Sequence, residues 1–135
     1  MNYQIKASSL SKEDAVIHIK KSNINFGTTL KNADTLPNPA ELFLGSFAAC
    51  MLKNVERFSS MMNFTYLKAT LEVKATRLES PPRMDNIIYN LNIYSNDKKL
   101  NVDLLKKNIE KFGTIYNTIK LSCAISGTIK TLENV

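Results

Sequence analysis

The stretch that most constrains this chain opens at Asn38-Pro39-Ala40-Glu41. Asn38 is a helix N-cap residue, and Pro39 falls at the first helical position, where its missing N–H costs nothing. Glu41, three residues after Asn38, completes a capping box. From there Leu44, Phe47, Ala48, Met51, Val55, Phe58 and Met62 recur at helical spacing, predicting a helix over 39–62. Its first half, Leu42 to Leu52, is apolar or small nearly all round. A helix of that composition is buried on most sides, so it is expected to run through the centre of the fold or of a dimer.

The flanking segments read mostly as strands. Residues 2–7 and 15–20 are short strands across a polar Ser8–Asp14 turn, and a third is expected at 23–27, ending at Gly27. After the helix, Phe64 to Leu78 alternates, with Leu67, Ala69, Leu71, Val73 and Ala75 on one face. Pro81-Pro82 breaks that strand, and Ile87 to Tyr94 returns as its hairpin partner. Leu104, Leu105, Ile109 and Phe112 mark an amphipathic helix over 102–116. Ile119, Leu121, Cys123 and Ile125 alternate again until Gly127 interrupts, as a strand or a strand entering a short helical turn. This order predicts one α+β domain over 1–135, an antiparallel sheet covered by the long helix.

Composition narrows the function. Net charge is +6, but the lysines are spread along the chain in nothing longer than pairs such as Lys20-Lys21 and Lys106-Lys107. A solvated lysine surface is expected, not a nucleic-acid footprint. No apolar run approaches the ~20 residues of a membrane span. The start, Met1-Asn2-Tyr3-Gln4-Ile5-Lys6, lacks the form of a signal peptide, so a cytoplasmic protein is expected. His18, the single histidine, is in phase with Lys20 and is expected on a strand surface; no zinc site of usual composition can be assembled. The four glycines are isolated, so no phosphate loop is present. Met51, Met61 and Met62, with Phe47 and Phe58, are expected in a core, or lining a pocket for an apolar ligand.

The two cysteines, Cys50 and Cys123, are too far apart in sequence for a metal knuckle or a CxxC turn. Brought together by the fold they make a peroxidatic and resolving pair. Left apart they are two buried core residues.

Asn38-Pro39-Ala40-Glu41-Leu42-Phe43-Leu44-Gly45-Ser46-Phe47-Ala48-Ala49-Cys50 resembles the central-helix signature of the OsmC/Ohr family. Leu121-Ser122-Cys123-Ala124-Ile125-Ser126 is similar to that family's second signature, usually Cys-Pro-x-Ser. The resemblance implies an intertwined homodimer with its sites at the subunit interface. It further implies reduction of organic hydroperoxides without metal, flavin or haem. Cys50 would be the peroxidatic thiolate and become a sulfenic acid. Cys123 would condense with it to a disulfide, which a dithiol reductant would open by exchange.

Such chemistry needs a thiolate, whereas a free cysteine titrates near ~8.5. Cys50 lies about three turns into its helix, too far for the helix dipole to help much. In the family an N-terminal arginine, held by a glutamate directly after the proline, supplies the cation. Here no arginine precedes Arg57, and Ala40 stands in the glutamate's place. Glu41, turned about 100° around the helix, is the candidate for that role as well as the capping residue. Lys53 and Arg57 share a helical face with Cys50, Ser46 and Asn54, and are expected either as exposed residues or as a replacement cation. Lys31 and, from a partner chain, Arg77 or Arg83 are further candidates. The alternative function is a ligand-binding or redox-sensing dimer of the same fold that does not turn over peroxide.

Overall fold

The computed structural model describes residues 1–134. The chain forms two compact units, Met1–Phe43 and the part from Leu44 onward.

In the first unit, β1 (Lys6–Ser9), β2 (Ala15–Ile19) and β3 (Ser22–Phe26) form an antiparallel meander in that order. Strand β1 begins later and runs further than its sequence pattern suggests, because Ser9 still finds a ladder partner in Ala15. His18 is exposed, and its Nδ1 lies 2.7 Å from Oδ1 of its cross-strand partner Asn23. Asp14 gathers the following loop: one carboxylate oxygen accepts from the Thr28 N–H (3.0 Å), the Thr29 N–H (3.0 Å) and the Thr29 hydroxyl (2.9 Å). Asn32 donates to the other oxygen. These four donors hold Asp14 ionised down to a pKa of about 2, the Asn32 bond foremost. Among the described residues of this unit, Ala15, at 6 % exposure, is the one buried hydrophobic side chain. A segment this short cannot bury much of its own surface.

Helix α1 (Pro39–Met61) starts where its sequence says it should. The Glu41 N–H donates to Asn38 Oδ1 (2.8 Å) and the Asn38 N–H donates to Glu41 Oε1 (3.0 Å), which is the reciprocal capping box. Within the second unit this helix buries Phe47, Met51, Asn54, Val55 and Phe58. Gly45, Ser46, Ala49 and Leu52 lie on its exposed side, as does Met61 at 66 % exposure. Within a single chain the nearly all-round apolar first half is thus covered on one face, where burial in the centre of the fold or of a dimer was expected.

Strands β4 (Lys68–Glu79) and β5 (Pro82–Tyr94) form a long hairpin whose turn contains a cis Ser80–Pro81 bond. The two prolines shape the turn and do not shorten the return strand, since Glu79 and Pro82 are already opposite one another. Two helices follow, α2 (Val102–Phe112) and α3 (Thr114–Ile119), separated by Gly113 in extended conformation. The single helix expected over 102–116 is thus two. Asn101 caps the first, accepting from the Leu104 N–H. Leu121 is exposed, and the last strand, β6, covers Ile125–Leu132. The alternation from Ile119 to Cys123 belongs to the end of α3 and a turn, not to a strand. Strand β6 lies parallel to β5, so the second sheet is β4-β5-β6 and mixed, with the crossover carried by α2 and α3.

Central β5 supplies the core of this α+β unit: Ile87, Tyr89, Leu91 and Ile93 are each 0 % exposed. Phe47, Met51 and Val55 of α1 and Leu105 and Ile109 of α2 are equally buried. Each such side chain contributes roughly 1.5–3 kcal/mol on leaving water. No helix among the described residues is long and apolar enough to cross a membrane.

Candidate functional site

Cys50 lies on α1 at the margin of its buried face, half-buried and unbridged. One turn on, Asn54 is 7 % exposed. Its amide donates to the Cys50 carbonyl (2.8 Å) and approaches the Cys50 sulfur (3.6 Å). A buried amide needs partners, and these two explain why a polar residue is tolerated there. A donor so placed also offers a partner to sulfur carrying negative charge.

The corner between α2 and α3 closes against the same sulfur. A Cβ built on buried Gly113 would stand 3.3 Å from Cys50 Sγ, 3.0 Å from Tyr116 Cβ and 2.9 Å from the Ile109 carbonyl oxygen. Only a residue without a side chain fits between them. One turn before Cys50, the Phe47 ring packs 6.0 Å from both Tyr89 and Tyr116. Both tyrosine hydroxyls donate to Glu110 Oε2, each at 3.1 Å. Burial, then the Glu110 charge, raises the Tyr116 pKa to about 12 and pushes that of Tyr89 higher still. Both remain neutral donors, and the aromatic cluster around Phe47 is tied to α2 through Glu110.

Cys123 follows α3, its N–H donating to the Ile119 carbonyl (2.9 Å). It too is unbridged and half-buried. Its thiol donates to the Met84 carbonyl at 3.2 Å, and the next N–H, of Ala124, donates to Asp85 Oδ1 at 2.8 Å. Burial, and secondarily the Asp85 carboxylate, raises the Cys123 pKa.

The cations expected near Cys50 are placed as follows. Lys31, Lys53 and Arg57 are exposed, with the Arg57 guanidinium over the Phe58 ring at 5.3 Å. Arg77 pairs with Glu79 at 2.6 Å, and Arg83 donates to the Pro81 carbonyl. Glu41 holds the helix start. The sequence reading placed Asn54 in a polar stripe with Lys53 and missed its burial; its position four residues after Cys50 was the available signal. Gly113 was passed over as one isolated glycine, and Glu110, Tyr89 and Tyr116 carry no local motif. Among the described residues no group of three or more His, Cys, Asp or Glu could hold a metal ion. Two open clefts lie elsewhere: about 490 Å³ at Ser95–Lys98, Glu133 and Asn134, and about 340 Å³ around Glu56, Ser59 and Phe64–Leu67. Neither of these two is lined by a cysteine.

The model of a family described as OsmC-like protein matches residues 32–128. No curated protein sequence matches the chain. Among solved structures, an OsmC-like protein from Mycoplasma pneumoniae superposes with a TM-score of 0.86 at 16% identity, over 98% of each chain. An organic hydroperoxide resistance protein from Elizabethkingia anophelis gives 0.68 at 13% identity, over 99% of each chain. The organic hydroperoxide resistance protein OhrB of Bacillus subtilis gives 0.65 at 14% identity, over 96% of this chain and 98% of that one. At such identities the likeness is one of fold.

Proposed function

This chain belongs to the OsmC-like protein family, and on that premise we propose that it is a thiol-dependent peroxidase acting on organic hydroperoxides. The observation that carries the reading is Cys50 itself: an unbridged thiol with a buried amide donor toward its sulfur, closed over by Gly113 at the α2–α3 corner. The Cys50 thiolate attacks the distal oxygen of ROOH. The O–O bond breaks, the alkoxide takes a proton and leaves as an alcohol, and Cys50 becomes a sulfenic acid. Cys123 then forms the S–S bond while the sulfenic hydroxyl and the thiol proton leave as water. A dithiol reductant restores both thiols by exchange. Glu41 acts in this reading through the start of α1, and the protein works in the cytoplasm as a homodimer whose partner covers the exposed Gly45–Ala49–Leu52 side of that helix.

A second reading is favoured by one observation: the donor toward Cys50 sulfur is an uncharged amide, while Lys53 and Arg57 are exposed. On this reading the protein is a ligand-binding or redox-sensing dimer that oxidises without rapid turnover. The test is single-turnover loss of free thiol from pre-reduced protein given cumene hydroperoxide or hydrogen peroxide. A peroxidase loses both thiols far faster than a free cysteine does, prefers the organic peroxide, and stops reacting on Cys50→Ser. A rate no faster than that of a free thiol overturns the peroxidase reading and leaves the second.

A further inference from the structure

We propose that Met84 and Asp85 of β5 form a clasp that keeps Cys123 a masked thiol, so that Cys50 meets the oxidant first; Asp85 is its positioning residue. The ordering rests on the peroxidase reading; the masking does not. Two consecutive residues on each side are tied together. The Cys123 thiol donates to the Met84 carbonyl at 3.2 Å, and the Ala124 N–H donates to Asp85 Oδ1 at 2.8 Å. The segment is fixed on both flanks as well, by Cys123 N–H to the Ile119 carbonyl and by Ile87 N–H to the Ala124 carbonyl, each 2.9 Å.

The direction of these bonds decides the chemistry. The sulfur uses its proton to reach a carbonyl oxygen, an acceptor with nothing to offer a thiolate. Deprotonation removes that bond and sets a negative sulfur against the carbonyl dipole, with the Asp85 carboxylate close by. Asp85 itself stays ionised at low pH, because the Ala124 and Asn86 N–H groups donate to it; Arg83 on the same strand adds a smaller pull the same way. Of the charged groups, Asp85 acts on Cys123 directly and Arg83 acts on Asp85. Neither supplies a donor to the Cys123 sulfur.

The clasp must open for the second chemical step. When Cys123 attacks the Cys50 sulfenic acid, its sulfur gains the S–S bond and its proton leaves with the hydroxyl as water. The bond to the Met84 carbonyl is lost in that step, whichever path the segment takes.

The test uses alkylation, which needs no peroxide. In a Cys50→Ser background, the iodoacetamide rate of Cys123 is followed from neutral to alkaline pH, with and without Asp85→Asn and Asp85→Ala. Asp85→Asn keeps an oxygen for the Ala124 N–H and removes only the charge. It should speed alkylation on the acid side of the profile and move the midpoint down, by the part of the shift that the Asp85 charge adds to burial. Asp85→Ala should add a loss of protection, seen as faster exchange of the Ala124 amide. Profiles in both variants that match the parent overturn the clasp. Should Asp85→Ala fail to fold, Asp85→Asn alone decides. With Cys50 present, dimedone trapping after cumene hydroperoxide should label Cys50 alone in the parent and both cysteines in Asp85→Asn. Labelling of both cysteines in the parent overturns the ordering, and labelling of Cys50 alone in both proteins overturns the clasp as its cause. No labelling in either rejects the peroxidase reading and with it the ordering, while the alkylation profiles still decide the masking.

Discussion

Gly127→Ala tests the packing beneath the site with a sign as well as a size. In an unconstrained strand the change stabilises, because glycine costs roughly 0.5–1 kcal/mol relative to alanine. Here Gly127 is the parallel-ladder partner of Tyr89. An added Cβ would lie 2.3, 2.4 and 2.5 Å from three atoms of the Tyr89 ring. These ring atoms lie close to the backbone and have little freedom to swing aside. The ring is 0 % exposed, packs against Phe47, and is held at its far end by Glu110. Overpacking costs about 1–3 kcal/mol, and displacing the ring also weakens a hydrogen bond worth about 1 kcal/mol. The expected loss is about 3 kcal/mol, a large share of the ~5–15 kcal/mol that holds a domain together. Urea unfolding should show a lower midpoint at unchanged slope. The same change in a Tyr89→Ala background should cost far less, because the obstructing ring is gone. A loss under ~0.5 kcal/mol, or an equal loss in both backgrounds, would refute the reasoning.

Glu110→Ala leaves two buried tyrosine hydroxyls without their acceptor and should cost about 2–4 kcal/mol by thermal melting, whereas Glu110→Gln should retain most of that. Asn54→Leu removes the donor toward Cys50 and should slow iodoacetamide labelling of that thiol in a Cys123→Ser background; unchanged kinetics would deny Asn54 any part in activation. Asp14 has its folded pKa lowered from 3.8 to about 2, so its contribution is present above 3.8 and lost as pH falls toward 2. Exchange of the Thr28 and Thr29 amides should accelerate across that window in the parent and show no such step in Asp14→Asn. Glu41→Ala should destabilise by about 1 kcal/mol through the lost cap. Glu41→Gln should keep the cap, so slower single-turnover thiol loss in that variant would assign Glu41 a role beyond capping.

What could be read from sequence was what is decided locally. A cap, a proline and a run of apolar residues specify α1 from within, and the structure starts that helix at Pro39 with the reciprocal Asn38–Glu41 bonds in place. Period-two alternation likewise specified the inward face of β5 and, from Ala69 to Ala75, of β4, while Leu67 lies before that strand and is exposed. The family motifs around Cys50 and Cys123 are also contiguous stretches, legible without a fold.

Other features depend on partners distant in the chain. The parallel pairing of β6 with β5 joins residues about forty positions apart, and no local pattern distinguishes parallel from antiparallel. Gly113 and Gly127 look alike in sequence. One admits the α2–α3 corner to the Cys50 sulfur and the other admits the Tyr89 ring, contacts that exist only once the helices and sheet have packed. Asn54 reads as part of a polar stripe with Lys53 and Arg57, yet it is buried and they are exposed, because a helix repeats every 3.6 residues and its surroundings decide which side is covered. The sequence by itself determined the helix, the strands and the two thiols. Tertiary structure decided what each thiol touches, an amide at one and a carbonyl at the other, because hydrogen-bond partners are chosen by proximity in space.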